Sequence, residues 1–488
     1  MKKLLYGILV VLLIGLAYVH WILPGQVESK TNVNIPHEPY VVSAEAQALH
    51  DSLFIADLHS DSLLWKRDLT QESDVGHMDV PRLQKGNVAV QVFSATTKSP
   101  SGLNYDRNEA TSDDITTLAI ASFWPVRTWG SIYERAVFQL EKLYKLAERS
   151  EISVIISKQD FQDFVERRAY GGTEIAAVYL IEGAHPLEGN LENLDRLFDQ
   201  GLRIVGLVHF FDNELGGSLH GVSGEGLNDF GRSVIRRANE LGMIIDIAHS
   251  SPRMVADVLA LSDSPVILSH GGLKGACDTA RNLEDSLMIE VAQQGGLIGI
   301  GFWDAAVCDP SPAGVAKSIR YAIDLLGVEH VALGSDYDGA TAVLFDVGEL
   351  AALTQALMDE GLTEEEIRRV MGVNVERFFL RHLPGPSDVV LSDTPFFDDW
   401  EAVKASRDLG PVQLPIETAA EAVRIATDEH FIRISCAVQN LQFMPRYTVT
   451  EFDQYWEVSA RSTVPRGAHT CGMFTVHISK VDGGLYKL

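Results

Sequence analysis

The chain has 488 residues, 46% hydrophobic and 22% charged, so it is long enough for two folded units and apolar enough for a sizeable core. Sixty-seven acidic against 40 basic residues give a formal net charge of -27, which excludes the basic footprint of a nucleic-acid partner and reads as an acidic, soluble surface. The four cysteines, Cys277, Cys308, Cys436 and Cys471, form no CxxC pair, which argues against a thiolate zinc site or a disulfide scaffold; Cys436 and Cys471 could form one disulfide in an oxidising compartment, and free buried thiols are the plainer expectation.

At the amino terminus Lys2 and Lys3 precede LLYGILVVLLIGLAYVHWILP, an apolar run to Pro24 without Asp, Glu, Lys or Arg. A bilayer span needs roughly 20 such residues, and the positive charge ahead of this run places the bulk of the protein outside. Residues 1–24 therefore read as a transmembrane signal anchor. The alternative is a cleaved secretory signal, for which the run is long and lacks a small-x-small site. Either way the protein is exported: anchored to the membrane and facing the bacterial periplasm or cell surface, or secreted after cleavage. Residues 25–43 read as a polar linker.

From residue 44 to 384, short β-rich runs alternate with helices. SAEAQALHDS is a short helix capped by Ser43, and FIADLH and VAVQVFSA are the first two buried strands. Residues 111–168 read as a long helical region, with SIYERAVFQLEKLYKLAERS its clearest helix. AAVYLIEG is the third strand, followed by a helix ending at Gly201, and RIVGLVHF is the fourth. An amphipathic helix stopped by Gly242 leads to MIIDIAH, the fifth, and a helix with Pro252 in its first turn leads to PVILSH, the sixth. LIGIGFW and HVALGSD are the seventh and eighth, each preceded by a helix, and TEEEIRRVMGVNVERFFLRHL closes the series. Eight βα units with continuously apolar strands predict an α/β fold, a (β/α)8 TIM-type barrel buried on both faces. Beyond it, 385–395 reads as a linker and 396–488 as a small α+β region. That region offers one helix, PIETAAEAVRIATDEH, and the β-rich runs HFIRISCAV, PRYTVTEF, YWEVSARS and GMFTVHISK.

Active sites of such barrels lie at the carboxyl ends of the strands. Those ends carry His59 and Asp61, Glu182, His209, His249, His270, and Asp336 with Asp338. Imidazole and carboxylate without thiolate suit zinc, manganese or iron. His59 and Asp61, two apart on a strand, face one way and can hold one ion; His249 and His270 can hold a second. Glu182 could bridge both, and two such ions sharing a hydroxide point to hydrolysis of an acyl bond. His209 and Asp336 could each be a ligand or a substrate group. Arg281 lies beyond the sixth strand and is either a bidentate partner for a substrate carboxylate or a surface ion pair. His185 reads as lying behind the ligands, Asp338 as a turn residue, and His330 as structural. His20, His37, His50, His77, His220, His382, His430, His469 and His477 read as structural or solvated.

Between residues 50 and 384 the chain carries, in order, DLHSDSLLW, HMDVPRLQKGNVAVQVFS, IEGAHPLEGNLENLDRLFDQGLRIVGLVH, GLNDFGRSVIRRANELGMIIDIAHSS, PVILSH, ARNLEDSLM, HVALGSDYDG and GVNVERFF. Through these motifs it resembles the membrane dipeptidase (renal dipeptidase) family, the M19 peptidases. The resemblance implies a barrel peptidase with two zinc ions per chain: His59 and Asp61 on one, His249 and His270 on the other, Glu182 and a hydroxide bridging. It implies that His209 contacts substrate and the tetrahedral intermediate, that Arg281 contacts substrate, and that Asp336 transfers a proton to the leaving amine. It also implies dipeptide substrates and, by analogy, a homodimer. Ala184 in EGAH, Leu58 and Ser60 in the first motif, and Gly271 and Gly272 after His270 depart from the family pattern; none is a proposed ligand, so they bear on substrate preference.

The competing readings are weaker. Another amidohydrolase on this barrel, acting on a cyclic amide, lactone or phosphoester, often bridges its metals with a lysine on the fourth strand; here that strand offers His209. A binding protein that kept only the fold predicts a lost ligand, and none is lost. A glycosidase would need two opposed carboxylates without this histidine set.

Overall fold

Strands that are apolar on both faces have to be covered on both, and a closed parallel barrel ringed by helices does this. The computed structural model describes residues 22–169 and 171–385, positions 6, 15 and 20, and four strands between 446 and 486. The barrel strands are β1 (Ile55–Ser60), β2 (Val88–Thr96), β3 (Ile175–Glu182), β4 (Leu202–Gly206), β5 (Ile244–Asp246), β6 (Ile267–Gly271), β7 (Leu297–Ile300) and β8 (Val331–Leu333). Each pairs in parallel with the next, β8 pairs with β1, and β2 pairs with β3 from Val90–Ala176 to Thr96–Glu182, closing the ring. Every residue of β1, β2 and β3 is buried.

The helices begin and end where the chain chemistry demands. Ser43 accepts from the Ala46 amide, Asn228 from Gly231 and Ser251 from Met254, each satisfying a first-turn donor. Pro252 sits in the first turn, and Gly242 ends its helix at φ 66°.

Three local differences from the sequence reading stand out. The helical region 111–168 is not continuous: Asp114–Ala121, Arg127–Gly130, Ile132–Ala147 and Lys158–Ala169 are helices, and Ile152–Val154 is a strand. It pairs with Ile175–Ala177, at the start of β3 on the edge away from β2. Three residues are too few to carry a period, which hid it among helices. The closing helix breaks at Gly372, where a Cβ would run into the Phe54 carbonyl. Finally, Cys277 and Cys308 form a disulfide, against the expectation of free thiols. The two follow β6 and β7, which pair side by side in the barrel; a 31-residue separation gives no hint of that. Cys436 and Cys471 are outside the described residues.

The described residues up to 164 and from 173 to 385 form one compact unit, and those from 165 to 172 with the four strands between 446 and 486 belong to another. In the second, Arg446–Glu451, Tyr455–Arg461, Phe474–Ser479 and Leu485–Tyr486 make an antiparallel sheet in chain order. PRYTVTEF, YWEVSARS and GMFTVHISK each hold one of them; PIETAAEAVRIATDEH and HFIRISCAV lie outside the described residues. Most of the apolar run 4–24 lies outside them too, and among the described residues no helix is long and apolar enough to cross a membrane.

Candidate metal centre

The carboxyl ends of the strands converge, and with them the side chains that the sequence marks. His59 and His270 lie within β1 and β6, and Glu182 is the last residue of β3. Asp61 follows β1 directly, while His209, His249 and Asp336 each stand three residues past β4, β5 and β8. His249 (φ 62°) and Asp336 (φ 60°) hold left-handed backbone, a conformation that costs a non-glycine residue on the order of 1–3 kcal/mol and persists where packing imposes it. Gly183 (φ 76°), directly after Glu182, makes the turn that leaves the carboxylate at the strand end.

Glu182 is the hub. Its Oε1 lies 3.3 Å from Nε2 of His249 and 3.5 Å from Nε2 of both His59 and His270, and its Oε2 lies 3.3 Å from Nε2 of His209. His59 Nε2 also faces Asp61 Oδ2 and Asp336 Oδ1, each at 3.8 Å. His249 and His270 approach through their Nε2 atoms at 2.9 Å. Thr96, at the end of β2, sets its hydroxyl 2.8 Å from Glu182 Oε2 and 2.9 Å from Asp61 Oδ1.

The electrostatics match the geometry. Burial lowers the His59 pKa, yet Asp61, Glu182 and Asp336 together outweigh it and raise it to about 10. Burial, with Arg281 and the neighbouring imidazoles, holds His249 and His270 well below the ordinary histidine range. Burial pushes Asp336 well above the usual carboxylate range. For Glu182 the neighbouring His209 and His59 outweigh burial and lower the pKa.

Three overlapping groups bring ligand atoms within 4.8 Å of one another: His59–Asp61–Glu182, Glu182–His209–His249 and His59–His270–Asp336. All these residues are buried, and His59 Nε2 finds no hydrogen-bond partner among the described residues. A buried, unpartnered ring nitrogen facing three carboxylates is a donor set that fits a divalent cation. His209 and Asp336 fall within ligand reach, so geometry leaves each able to meet a metal or a substrate.

Arg281 is buried, not at the surface. Its Nη2 donates to the His270 carbonyl at 2.7 Å, its guanidinium lies 5.4 Å from the centre of the Trp303 ring, and its Nε finds no partner among the described residues. Trp303 in turn donates through Nε1 to the Tyr105 hydroxyl at 2.9 Å. His185 is buried behind the cluster, stacked on Phe211 at 4.6 Å. His330 bonds the Gly296 carbonyl through Nδ1 at 2.9 Å, away from the centre. Asp338 is more than a turn residue: it is fully buried, pairs with Arg67 and accepts from Ser62 Oγ and the His77 amide.

Sequence reasoning passed over Thr96, Tyr105 and Trp303, and read His220 as structural or solvated. Thr96 and Trp303 close the second and seventh apolar runs, so strand-end position alone marks them. Tyr105 sits in a loop without period. His220 stacks on Phe210 at 4.9 Å and meets His249 edge-on at 5.4 Å.

The model of the membrane dipeptidase family, peptidase family M19, matches residues 43–381. An uncharacterized dipeptidase of Schizosaccharomyces pombe is 28% identical over 343 residues, 66% of this chain and 79% of that protein. Among solved structures, a metallopeptidase from Rhodobacter sphaeroides liganded with a phosphinate mimic of the dipeptide L-Ala-D-Ala superposes with a TM-score of 0.55 at 23% identity, over 68% of this chain and 99% of that one. The probable dipeptidase PvdM from Pseudomonas aeruginosa gives 0.59 at 19% identity, over 69% and 96%. At these identities the two structures speak for the fold.

Proposed function

From the premise that the chain belongs to the membrane dipeptidase family, peptidase family M19, and is a metal-dependent dipeptidase, we propose that it works with two zinc ions held by five side chains. His59 and Asp61 hold one ion, His249 and His270 the other, and Glu182 is shared. The observation behind this is the position of Glu182 Oε1, 3.3–3.5 Å from the Nε2 atoms of His249, His59 and His270. When bound, the ions supply a water acidified toward neutrality and polarise a carbonyl. His209 stands beside Glu182 and steadies the charge that grows on the carbonyl oxygen. Asp336, which burial favours in its protonated form, passes a proton to the departing amine. Arg281, with an unpartnered Nε, takes the substrate carboxylate and so selects short peptides with a nearby free terminus.

The test is metal analysis and dipeptide hydrolysis on one preparation, before and after chelation. About two zinc ions per chain are expected, with activity lost on chelation and regained with zinc. A metal-loaded chain inactive across a dipeptide panel, or one that takes up no zinc and stays inactive, overturns the proposal.

The Cys277–Cys308 bond ties the segment that carries Arg281 to the one that follows Trp303. Reducing it is expected to raise KM roughly five-fold, about 1 kcal/mol of substrate binding, with zinc content unchanged. Initial rates and metal content of oxidised and reduced samples check this.

We also place the dipeptidase outside the cytoplasm, on the apolar run 4–24, as a homodimer by family analogy. Lys2 and Lys3 ahead of an uncharged run support the export, and so does a disulfide, which persists in oxidising compartments.

A further inference from the structure

We propose that Asp246 and Ser269 are positioning residues that fix which ring nitrogen of His270 is free to bind metal, an inference that rests on the two-zinc reading. Neither residue touches the reaction. Asp246, the buried last residue of β5, accepts at Oδ1 from the amides of Ser269 (2.9 Å) and Ala248 (3.0 Å), and at Oδ2 from the Ser269 hydroxyl (2.6 Å). A serine hydroxyl has one hydrogen. Once it is given to the carboxylate, Ser269 Oγ can only accept from its other neighbours. Those are His270 Nδ1 at 2.9 Å and His59 Nδ1 at 3.3 Å.

A neutral imidazole carries one N–H. If His270 places it on Nδ1, toward Ser269, then Nε2 keeps its lone pair. Nε2 is the atom that faces Glu182 Oε1, at 3.5 Å. The same hydroxyl meets Nδ1 of His59, whose Nε2 also lies 3.5 Å from Glu182 Oε1. One serine oxygen thus touches a ligand of each proposed ion, with one buried carboxylate behind it. Hydrogen-bond partners of this kind orient metal-binding histidines and tune their basicity.

The bland alternative is that the pair merely staples β5 to β6, which meet in register only at Asp246–Ile267. Asp246→Asn separates the two. The two amides that converge on Oδ1 keep the asparagine oxygen in that place, so its NH2 takes the place of Oδ2 and donates to Ser269 Oγ. The serine hydrogen then turns to His270 Nδ1, and the ring proton moves to Nε2. The staple is kept while the tautomer is reversed. Ser269→Ala removes the acceptor outright and serves as the second variant.

Three measurements on the full chain decide the matter: 15N NMR of the His270 tautomer in metal-free protein at about pH 8, zinc affinity by chelator competition, and the Tm of the metal-free forms. The wild type is expected to carry the proton on Nδ1 and Asp246→Asn on Nε2. Zinc affinity should fall about 10- to 100-fold in both variants, with Asp246→Asn holding its metal-free Tm. An Nε2–H tautomer in the wild type, or wild-type zinc affinity in both variants, overturns the inference. A wild type that takes up no zinc but shows the Nδ1–H tautomer overturns the metal reading instead.

Discussion

Glu182→Gln is expected to lower kcat/KM by about 10³-fold or more, roughly 4 kcal/mol of transition-state stabilisation, and to bring the zinc content below two per chain. Glutamine keeps the shape, so the barrel has no reason to fail. What it removes is the charge at the centre of four imidazoles, with Oε1 serving three and Oε2 the fourth. An amide also brings an N–H₂ group into a place where only acceptors work. Zinc titration with kinetics at saturating zinc measures both effects. Full metal content with activity within about ten-fold of wild type would remove Glu182 from the shared position.

That Glu182 stands among these imidazoles was legible in the chain because barrel topology does the assembling. His59, Glu182 and His270 lie in strands that point the same way, so a shared position in each run means a shared place in space. His209, His249 and Asp336 belong to loops, three residues past their strands, and the sequence reading drew those strands too long. It reached the right end of the barrel regardless, since overrunning a strand does not change which end it leaves by. What stayed hidden depends on neighbours across the ring. The Cys277–Cys308 bond joins two successive loops, and the Asp246–Ser269 contact joins β5 to β6. Tyr105 comes from the long stretch between β2 and β3, where no hydrophobic period sets a direction, yet it meets Trp303 across 198 positions of chain. Arg281 illustrates the gap well. Spacing alone left it between a surface ion pair and a substrate group, and burial beside Trp303 removes the first option.

Asp336→Asn is expected to lower kcat by about 10²- to 10⁴-fold, the range for loss of a general acid, while KM and zinc content stay close to wild type. The backbone should tolerate the change, because asparagine, like aspartate, accepts the left-handed conformation that Asp336 holds at φ 60°. The carboxyl is buried, and burial drives its pKa well above the usual range, the direction a proton carrier needs and one an amide cannot supply. The same substitution separates two roles that distance leaves open. Asp336 Oδ1 lies 3.8 Å from His59 Nε2, and Asp336 shares a ligand group with His59 and His270. A proton carrier lost from this place leaves both ions bound and the slow step starved of its acid; a ligand lost from it takes an ion with it. Steady-state kinetics and zinc analysis on one preparation therefore read different roles: a fall in kcat at full zinc content assigns Asp336 to proton transfer, and a parallel fall in zinc moves it into the metal shell.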